Sequence, residues 1–310
     1  MEFFYSLVRA AQMTQILAAI TTDCAFLVAD RRLTYGAGCR KGEVASEDEC
    51  KVVSLCHVNV IGYTGLARFG RVPTNEWIGT ALAEAGCHHA GQAAETLASR
   101  APAALHSIPA ELRRHAFLMC GWAPFGPEWI MKPHMAVISN CHHNDMNPSA
   151  TARDSFRINT RTLQPGEQAA VFAVGEHLRP DRDVALLRSI RRANGREGSE
   201  AAVMRLLAEE IFRTSAHART VGDEVQACCI PVASAHSLFT SGASRMSGLR
   251  SRPDRSTFGY FDRSFNEYKQ FGPTFVCGAQ AFTDVKYERS RTGPETSMSF
   301  RVLYAPKKQL

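Results

Sequence analysis

The sequence predicts an α+β fold in which paired helices cover the outer faces of two stacked β-sheets, a four-layer αββα sandwich. Three observations support this prediction. The first strands carry apolar residues on both faces, as strands covered on both sides do. Amphipathic helices occur in two pairs, and strands precede and follow each pair. Residues 14–232 hold these elements, and residues 233–310 form a C-terminal extension.

The first predicted element is a hairpin formed by QILAAI and CAFLVAD. With Thr22 at its tip, facing residues have numbers that sum to 44, which places Thr14 opposite Asp30. KVVSLC and VNVIGYTG predict a second pair of strands around His57. The spacing of the first hairpin thus brings the start of one strand beside the carboxylate that ends the next.

The segment VPTNEWIGTALAEAG predicts the first helix, with Thr74 as its N-cap and Gly86 at its end. GQAAETLASR predicts the second helix, and HAFLMCGWA, HMAVISN and AAVFAVG predict strands. DRDVALLRSIRRANG and SEAAVMRLLAEEIFRTSA predict the second helix pair, the latter capped by Ser199, and EVQACCIPV predicts a further strand.

The C-terminal extension differs in composition from the rest of the chain. The stretch after Val232 is rich in Ser, Gly and Arg and predicts a loop or linker, whereas TFVCGAQAF and SFRVLYAP predict late strands. The net charge is +6, and His236 to Leu310 hold twelve Lys or Arg against six Asp or Glu. This segment therefore carries the whole excess, which is typical of a solvated surface; an acidic partner is the alternative.

Several function classes are disfavoured by the sequence. No apolar run is long enough to span a bilayer, and the N-terminal MEFFYSLVRAAQ is too short and has the wrong leading charge for a secretory signal. Ten cysteines without a small-scaffold spacing indicate reduced thiols in a cytoplasm. Neither a phosphate-binding glycine loop nor a Gly-x-Ser-x-Gly turn occurs. We therefore expect a cytoplasmic protein without a membrane partner or a cofactor, and nucleic-acid binding is not expected.

Two CHH triplets, at Cys87 and at Cys141, could suggest a zinc site. Adjacent residues on a strand point to opposite faces, and neither triplet has the usual spacing of two separated ligand pairs. We therefore predict no metal.

Thr14 directly follows Met13, a context that favours removal of an initiator methionine. If translation begins at Met13, or the chain is cut after it, residues 1–13 are a misassigned start or a leader, and Thr14 becomes the first residue. A free α-amine has a pKa of about 8, so a good part of it is neutral and can accept the proton of its own residue's hydroxyl.

The segments TQILAAI, CAFLVADRRLT, CKVVSL and VNVIGYTGLA resemble the opening of the proteasome β-subunit family, and most of all its bacterial branch, the heat-shock-locus peptidase that forms proteasome-like rings. The resemblance implies the N-terminal-nucleophile hydrolase fold over roughly Thr14 to Val232. Its specific part ends near Gly70, and beyond that point it depends on the order of the elements.

The resemblance also implies roles for single residues. Thr14 matches the nucleophile, Asp30 the aspartate that ends the second strand, and Lys51 the lysine that pairs with this aspartate. The Lys51 ammonium would lower the pKa of the Thr14 amine. Gly65 matches the glycine whose N–H faces the developing oxyanion, and Asp223 matches a supporting aspartate.

Two departures alter the supporting network of the family. Glu176 stands in AVGEH, where the family has a glycine followed by serine, so that its side chain would support the amine. Gln226 stands where the family has a serine three residues after the aspartate.

The predicted reaction is hydrolysis of peptide (amide) bonds through an acyl-enzyme on Thr14. By the same resemblance, we expect a homo-oligomer, a peptide or protein substrate and an ATP-dependent unfoldase as partner. Two alternatives stay open: a non-catalytic subunit that keeps the architecture, and an amidase for small molecules whose site is closed by the C-terminal extension.

Overall fold

The structure, a computed structural model, describes most of the chain after Met13. The residues described are 14–35, 41–47, 49–125, 127, 130–142, 149, 151–176, 178–196, 198–232, 257–261, 274–289 and 296–306. The predicted leader, residues 1–13, and nearly all of the predicted loop after Val232 lie outside them.

Four α-helices and seventeen β-strands occur in this part of the chain, which confirms the α+β prediction. The helices are α1 (Thr74–Glu84), α2 (Ala90–Leu105), α3 (Pro180–Ala193) and α4 (Ser199–Ser215), with a short 3₁₀ helix at Ala110–Leu112. The strands are β1 (Gln15–Thr21), β2 (Cys24–Asp30), β3 (Leu33–Thr34), β4 (Val44–Ser46), β5 (Val52–Leu55), β6 (Asn59–Thr64), β7 (Arg68–Phe69), β8 (Val72–Pro73), β9 (Ala116–Phe125), β10 (Ile130–Ser139), β11 (Arg157–Thr162), β12 (Ala169–Gly175), β13 (Val225–Pro231), β14 (Thr257–Phe261), β15 (Thr274–Cys277), β16 (Gln280–Arg289) and β17 (Thr296–Tyr304).

Two large sheets organise these elements. The smaller has five strands in the order β12-β1-β2-β13-β14, and the larger has eight in the order β11-β10-β9-β6-β5-β15-β16-β17. Every residue of β1 and β2 is buried, in agreement with their doubly apolar sequences. β15 runs parallel to β5, whereas the other described pairings are antiparallel.

Three apolar clusters bury both faces of the central strands of the two sheets. One joins residues of the two sheets, with Ile16 and Leu27 against Val60 and Leu118. The second packs α1 and α2 on the eight-stranded sheet, and the third packs α3 and α4 on the five-stranded sheet. Because successive side chains of a strand alternate, Ile16 belongs to the first of these clusters and Leu17 to the third.

The first hairpin has a register that differs by one from our prediction. Ile16 faces Ala29 and Leu17 faces Val28, so that the numbers of facing residues sum to 45. A two-residue turn at Thr22 and Asp23 produces this odd sum, whereas we had placed a single residue at the tip. Continued by one step, the register sets Gln15 opposite Asp30, so the predicted placement of Thr14 opposite Asp30 was wrong.

Two predicted helix caps also differ from the structure. Thr74 is the first residue of α1, and its hydroxyl donates to the carbonyl oxygen of Leu66 at 2.8 Å instead of capping the helix. Ser199 begins α4 after Gly198, which takes a left-handed conformation with φ of 71°. Proline and glycine therefore occupy these caps, whereas Gly86 follows α1 as predicted, with φ of 63°.

The C-terminal extension supplies strands to both sheets. β14 pairs with β13 at the edge of the five-stranded sheet, and β15, β16 and β17 extend the eight-stranded sheet beyond β5. The predicted strand TFVCGAQAF is divided by a turn into β15 and the start of β16, and β17 overlaps the predicted SFRVLYAP, whereas β14 was not predicted. β11, at the opposite edge, was missed because its sequence, RINTRT, is polar and most of its residues are solvent-exposed. No helix in the described part of the chain is long and apolar enough to cross a membrane.

Two histidines lie within the eight-stranded sheet. His115, directly before β9, contacts the rings of Tyr63, Phe69 and Phe117, and its Nδ1 accepts a hydrogen bond from the Leu66 N–H at 3.2 Å. Burial lowers its pKa to about 3. His134, on β10, is also buried, and burial lowers its pKa to about 4. Both imidazoles are therefore neutral at pH 7.

Because both histidines are buried in the neutral form, we expect the fold to lose stability in acid. Their folded-state pKa values lie below the unfolded value of about 6.5, so the unfolded chain binds more protons as the pH falls. Their contribution to the free energy of unfolding is complete above about pH 6.5. It is lost progressively towards pH 4 and pH 3, by up to about 1.4 kcal/mol per pH unit for each histidine. Urea unfolding at a series of pH values measures this slope.

His115→Asn keeps an acceptor for the Leu66 N–H but cannot titrate, so it should reduce the slope. His217→Asn, at an exposed residue, is the matched control and should leave the slope unchanged. An identical pH dependence in wild type and His115→Asn would contradict the assignment.

Candidate active site

Three of the predicted site residues meet at one point. Lys51 Nζ donates to Thr14 Oγ1 at 2.8 Å, to Asp30 Oδ2 at 3.2 Å and to the carbonyl oxygen of Arg32. Thr14 directly precedes β1, Asp30 ends β2, and Lys51 directly precedes β5. The ends of three strands, taken from both sheets, thus build the cluster.

The cluster is almost completely shielded from solvent. The exposed fractions of Thr14, Asp30 and Lys51 are 1%, 0% and 1%. A lysine ammonium is seldom buried to this extent unless it is paired, and here a carboxylate, a hydroxyl and a carbonyl oxygen surround it. The ammonium is therefore held in one geometry.

The Asp30 carboxylate accepts three main-chain hydrogen bonds besides the one from Lys51. The Gln15 N–H donates to Oδ1 at 2.9 Å, and the N–H groups of Gly222 and Arg32 donate to Oδ2 at 3.0 and 3.1 Å. Donors of this kind stabilise the ionised form of a buried carboxyl group. Asp30 consequently fixes the loop before β13 and the chain after β2 around the lysine.

Burial and pairing act against each other on the two charged groups. Burial raises the pKa of Asp30, while Lys51 and the main-chain N–H groups lower it. Burial lowers the pKa of Lys51, and the Asp30 carboxylate opposes that change. The pairing therefore offsets part of the effect of burial on each group.

The main chain of Thr14 is fixed by the end of β12. The Glu176 N–H donates to the Thr14 carbonyl oxygen at 2.9 Å. Gly175, with φ of +87°, approaches so closely that a Cβ there would lie 1.6 Å from the same oxygen. Only glycine fits, so the Gly175–Glu176 turn fixes the position of Thr14.

Gly65 directly follows β6. Its φ is +109°, and a Cβ at this position would lie 2.5 Å from the carbonyl oxygen of Arg114. Thr64 Oγ1 lies 3.2 Å from the position that a Cβ of Gly175 would occupy. The turn that follows β6 therefore borders the Thr14 segment.

Asp223 and Glu176 contact the cluster differently from our expectation. Asp223 is half-exposed and has an oxygen 3.8 Å from Arg32 Nη2, whereas its neighbour Gly222 contacts Asp30 through the main chain. Glu176 contacts Thr14 with its N–H, and its carbonyl oxygen accepts from Gln15 Nε2 at 3.3 Å. The type of a residue does not reveal main-chain contacts of this kind, so the sequence could not predict them.

Gln226, which replaces the serine of the family, belongs to the cluster. Its Oε1 accepts from the Lys51 N–H at 3.3 Å, and its Nε2 contacts Cys50 Sγ at 3.6 Å. The longer side chain thus reaches the backbone of the lysine and helps to fix it.

The two CHH triplets do not assemble a metal site within the described part of the chain, where no group of three or more His, Cys, Asp or Glu side chains is placed to hold an ion. His142 Nδ1 and Ser139 Oγ hydrogen bond at 2.8 Å, and Cys141 Sγ lies 3.3 Å from the same hydroxyl. His143 lies outside the described residues.

Comparison of the chain with known protein families and with curated proteins finds no match.

Removing the carboxylate should destabilise the protein strongly. Asp30→Asn leaves the Lys51 ammonium buried without a counter-charge, which should cost about 3–5 kcal/mol of unfolding free energy in urea denaturation. Adding Lys51→Met to this variant should recover part of the loss, because no unpaired charge is then buried.

The control for this experiment is the exposed ion pair between Arg100 and Glu84, with atoms 2.6 Å apart. Glu84→Gln should cost less than about 1 kcal/mol. Equal costs for Asp30→Asn and Glu84→Gln would contradict the buried pairing.

Two glycines with similar backbone angles test the contact with Thr14. Gly175 has φ of +87° and Gly195 has φ of +77°, but a Cβ at Gly195 would meet nothing within 4 Å. Gly195→Ala should cost only the conformational strain, about 1–2 kcal/mol, and Gly175→Ala about 2 kcal/mol more because its methyl group displaces Thr14. Urea denaturation of both variants measures the difference, and equal costs would refute the close approach.

Proposed function

We propose that the protein is an N-terminal threonine hydrolase that cleaves peptide bonds through an acyl-enzyme on Thr14. The observation that carries this proposal is the buried Lys51 ammonium, bonded to both Thr14 Oγ1 and Asp30 Oδ2. We further propose that the two sheets and their helix pairs form the αββα sandwich of N-terminal-nucleophile hydrolases, as the resemblance to the proteasome β-subunit family implies. The three apolar clusters support this arrangement.

In the proposed reaction Thr14 begins the chain. Its hydroxyl oxygen attacks the carbonyl carbon of the substrate amide, and the hydroxyl proton passes to the α-amine of the same residue. The C–N bond then breaks, and the departing amine takes up that proton. An ester between Thr14 Oγ and the acyl group remains, and water hydrolyses it to release the carboxylic acid and restore the threonine.

Lys51 serves this chemistry in two ways. Its positive charge lowers the pKa of the nearby α-amine, so that more of the amine is neutral and able to accept the proton. Its Nζ–H also points at Thr14 Oγ1, where it stabilises negative charge that develops as the hydroxyl loses its proton. Asp30 keeps the ammonium charged and in position.

The N–H of Gly65 is the proposed donor to the oxyanion of the tetrahedral intermediate. The position of this turn beside the Thr14 segment supports that role. A donor of this kind is worth about 3–4 kcal/mol in the transition state.

One observation favours a second candidate, a subunit that keeps the architecture without turnover. Thr14 and Lys51 are each only 1% exposed, so a substrate can reach the hydroxyl only after the chain around Thr14 has rearranged or been cut. A cut directly before Thr14 would create the amine.

The resemblance also supports the remaining parts of the proposal. A ring-shaped homo-oligomer, an ATP-dependent unfoldase that supplies protein substrates and a cytoplasmic location would accompany a peptidase of this type.

A threonine-directed electrophile tests the reaction. A peptide epoxyketone forms a ring with a hydroxyl and an amine of the same residue, so it should modify a chain that begins at Thr14 and leave a chain that retains residues 1–13 unmodified. Thr14→Ala should abolish modification, and Lys51→Met should slow it at least about 100-fold. Peptide mapping by mass spectrometry locates the adduct.

Thr22→Ala, at an exposed threonine of the hairpin turn, is the matched control and should be modified at the wild-type rate. Absence of modification in the chain that begins at Thr14 would favour the non-catalytic subunit. If the electrophile modifies the chain that begins at Thr14, faster turnover of small amides than of peptides would favour the amidase.

A further inference from the structure

Cys56 and Cys277 lie side by side where two parallel strands end. The register of β5 and β15 pairs Val53 with Thr274 and Leu55 with Val276, so its next step sets Cys56 beside Cys277. The Cys56 N–H donates to the carbonyl oxygen of Val276 at 2.8 Å, which continues the pairing beyond the strands. The two free thiols lie close enough for each to shift the pKa of the other.

This arrangement suits the spacing that a disulfide requires. Neighbouring strands lie about 4.8 Å apart, and disulfides join Cα atoms separated by about 4.4–6.8 Å. Cys56 also lies in a tight turn, in which Cys56 and His57 both have positive φ, 50° and 57°.

The two sulfurs are not equivalent. The neighbouring Cys56 thiol lowers the pKa of Cys277 to about 6, and Cys277 in turn raises the pKa of Cys56. Cys277 is therefore the better nucleophile at neutral pH, and Cys56 is the thiol that stays protonated. Both residues are half-buried, so a small solute can approach them.

A second pair of neighbouring thiols differs in access. Cys24 raises the pKa of Cys229, and the two residues are only 4% and 2% exposed. They lie among the side chains packed beneath α4. This pair therefore provides an internal comparison of neighbouring thiols that solvent cannot reach.

We propose that Cys56 and Cys277 are a modification site, oxidised by peroxides to a disulfide that fastens the C-terminal strands to the body of the protein. Cys277 thiolate attacks one oxygen of hydrogen peroxide, the O–O bond breaks, and a sulfenic acid forms as water is released after protonation. The Cys56 sulfur then attacks the Cys277 sulfur, the S–O bond breaks, and a second water leaves with the Cys56 proton. The two thiols are oxidised, and one peroxide is reduced to two waters.

The link would have a mechanical effect without reaching the threonine cluster. β15 connects β5 to β16 and β17, so the bond ties the last three strands to the centre of the eight-stranded sheet. Lys51 directly precedes β5 and Cys56 directly follows it, so the two sites lie at opposite ends of that strand. The proposal therefore goes beyond the proposed hydrolysis and does not depend on it.

Treatment of the folded full chain with stoichiometric hydrogen peroxide tests the proposal. After alkylation of the remaining thiols, non-reducing peptide mapping should find the Cys56 and Cys277 peptides joined, with two hydrogen atoms lost. The thermal midpoint of the oxidised protein should rise by roughly 5 °C and return to its starting value on reduction. Cys24 and Cys229 should stay alkylatable after unfolding.

Variants identify the partners. Cys277→Ser and Cys56→Ser should each abolish the link, and Cys56→Ser should leave a sulfenic acid on Cys277 that dimedone traps. Cys87→Ser is the matched control, because this thiol lies near Cys56 and a serine can keep its contact with Thr96 Oγ1, 3.3 Å away. This variant should form the link normally.

Three results would overturn the proposal: no joined peptide in the folded wild-type chain, a link from Cys56 to Cys87 instead, or equal oxidation of the Cys24–Cys229 pair. Each is read from the wild-type protein alone, so a variant that fails to fold does not remove the test.

Discussion

A buried lysine ammonium constrains the rest of this structure. Lys51 contacts a hydroxyl, a carboxylate and a carbonyl oxygen, and no part of that arrangement is open to water that could replace a lost partner. Transfer of an ammonium group from water into such a place is costly unless every partner is in position. The start of β1, the end of β2 and the start of β5 must therefore lie together at the ammonium group.

The fold meets this constraint by bringing strand ends together from both sheets. β1 and β2 place Thr14 and Asp30 at one end of the five-stranded sheet, and the start of β5 brings Lys51 from the other sheet. Three main-chain N–H groups then complete the coordination of the carboxylate. The same contacts that compensate the charge orient the lysine toward the threonine hydroxyl, so stability and the proposed chemistry share one set of interactions.

The hairpin pattern could bring Thr14 and Asp30 together, because a hairpin places its two ends side by side. Lys51 was assigned only through the resemblance to the proteasome β-subunit family, since it belongs to a different pair of strands. The register could not be predicted, because a tip of one residue and a turn of two residues at Thr22 and Asp23 fit the same apolar pattern.

The contributions that were missed come from the main chain or from tertiary pairing. The Gly222 N–H and the close approach of Gly175 depend on backbone geometry, which residue type does not reveal. β11 is polar and lies at a sheet edge, where no apolar alternation is required. TFVCGAQAF and SFRVLYAP were predicted as strands, but the pairing of β15 with β5 joins residues far apart in the sequence. β14, which pairs with β13, was not predicted.

The central claim is that the Thr14 hydroxyl held by Lys51 belongs to the first residue of the working protein. Intact-mass measurement and N-terminal sequencing of the protein isolated from the cells that produce it test this claim most directly. We expect a chain that begins at Thr14 with an unmodified α-amine. A protein that hydrolyses peptides while residue 13 is still joined to Thr14 by a peptide bond would contradict it.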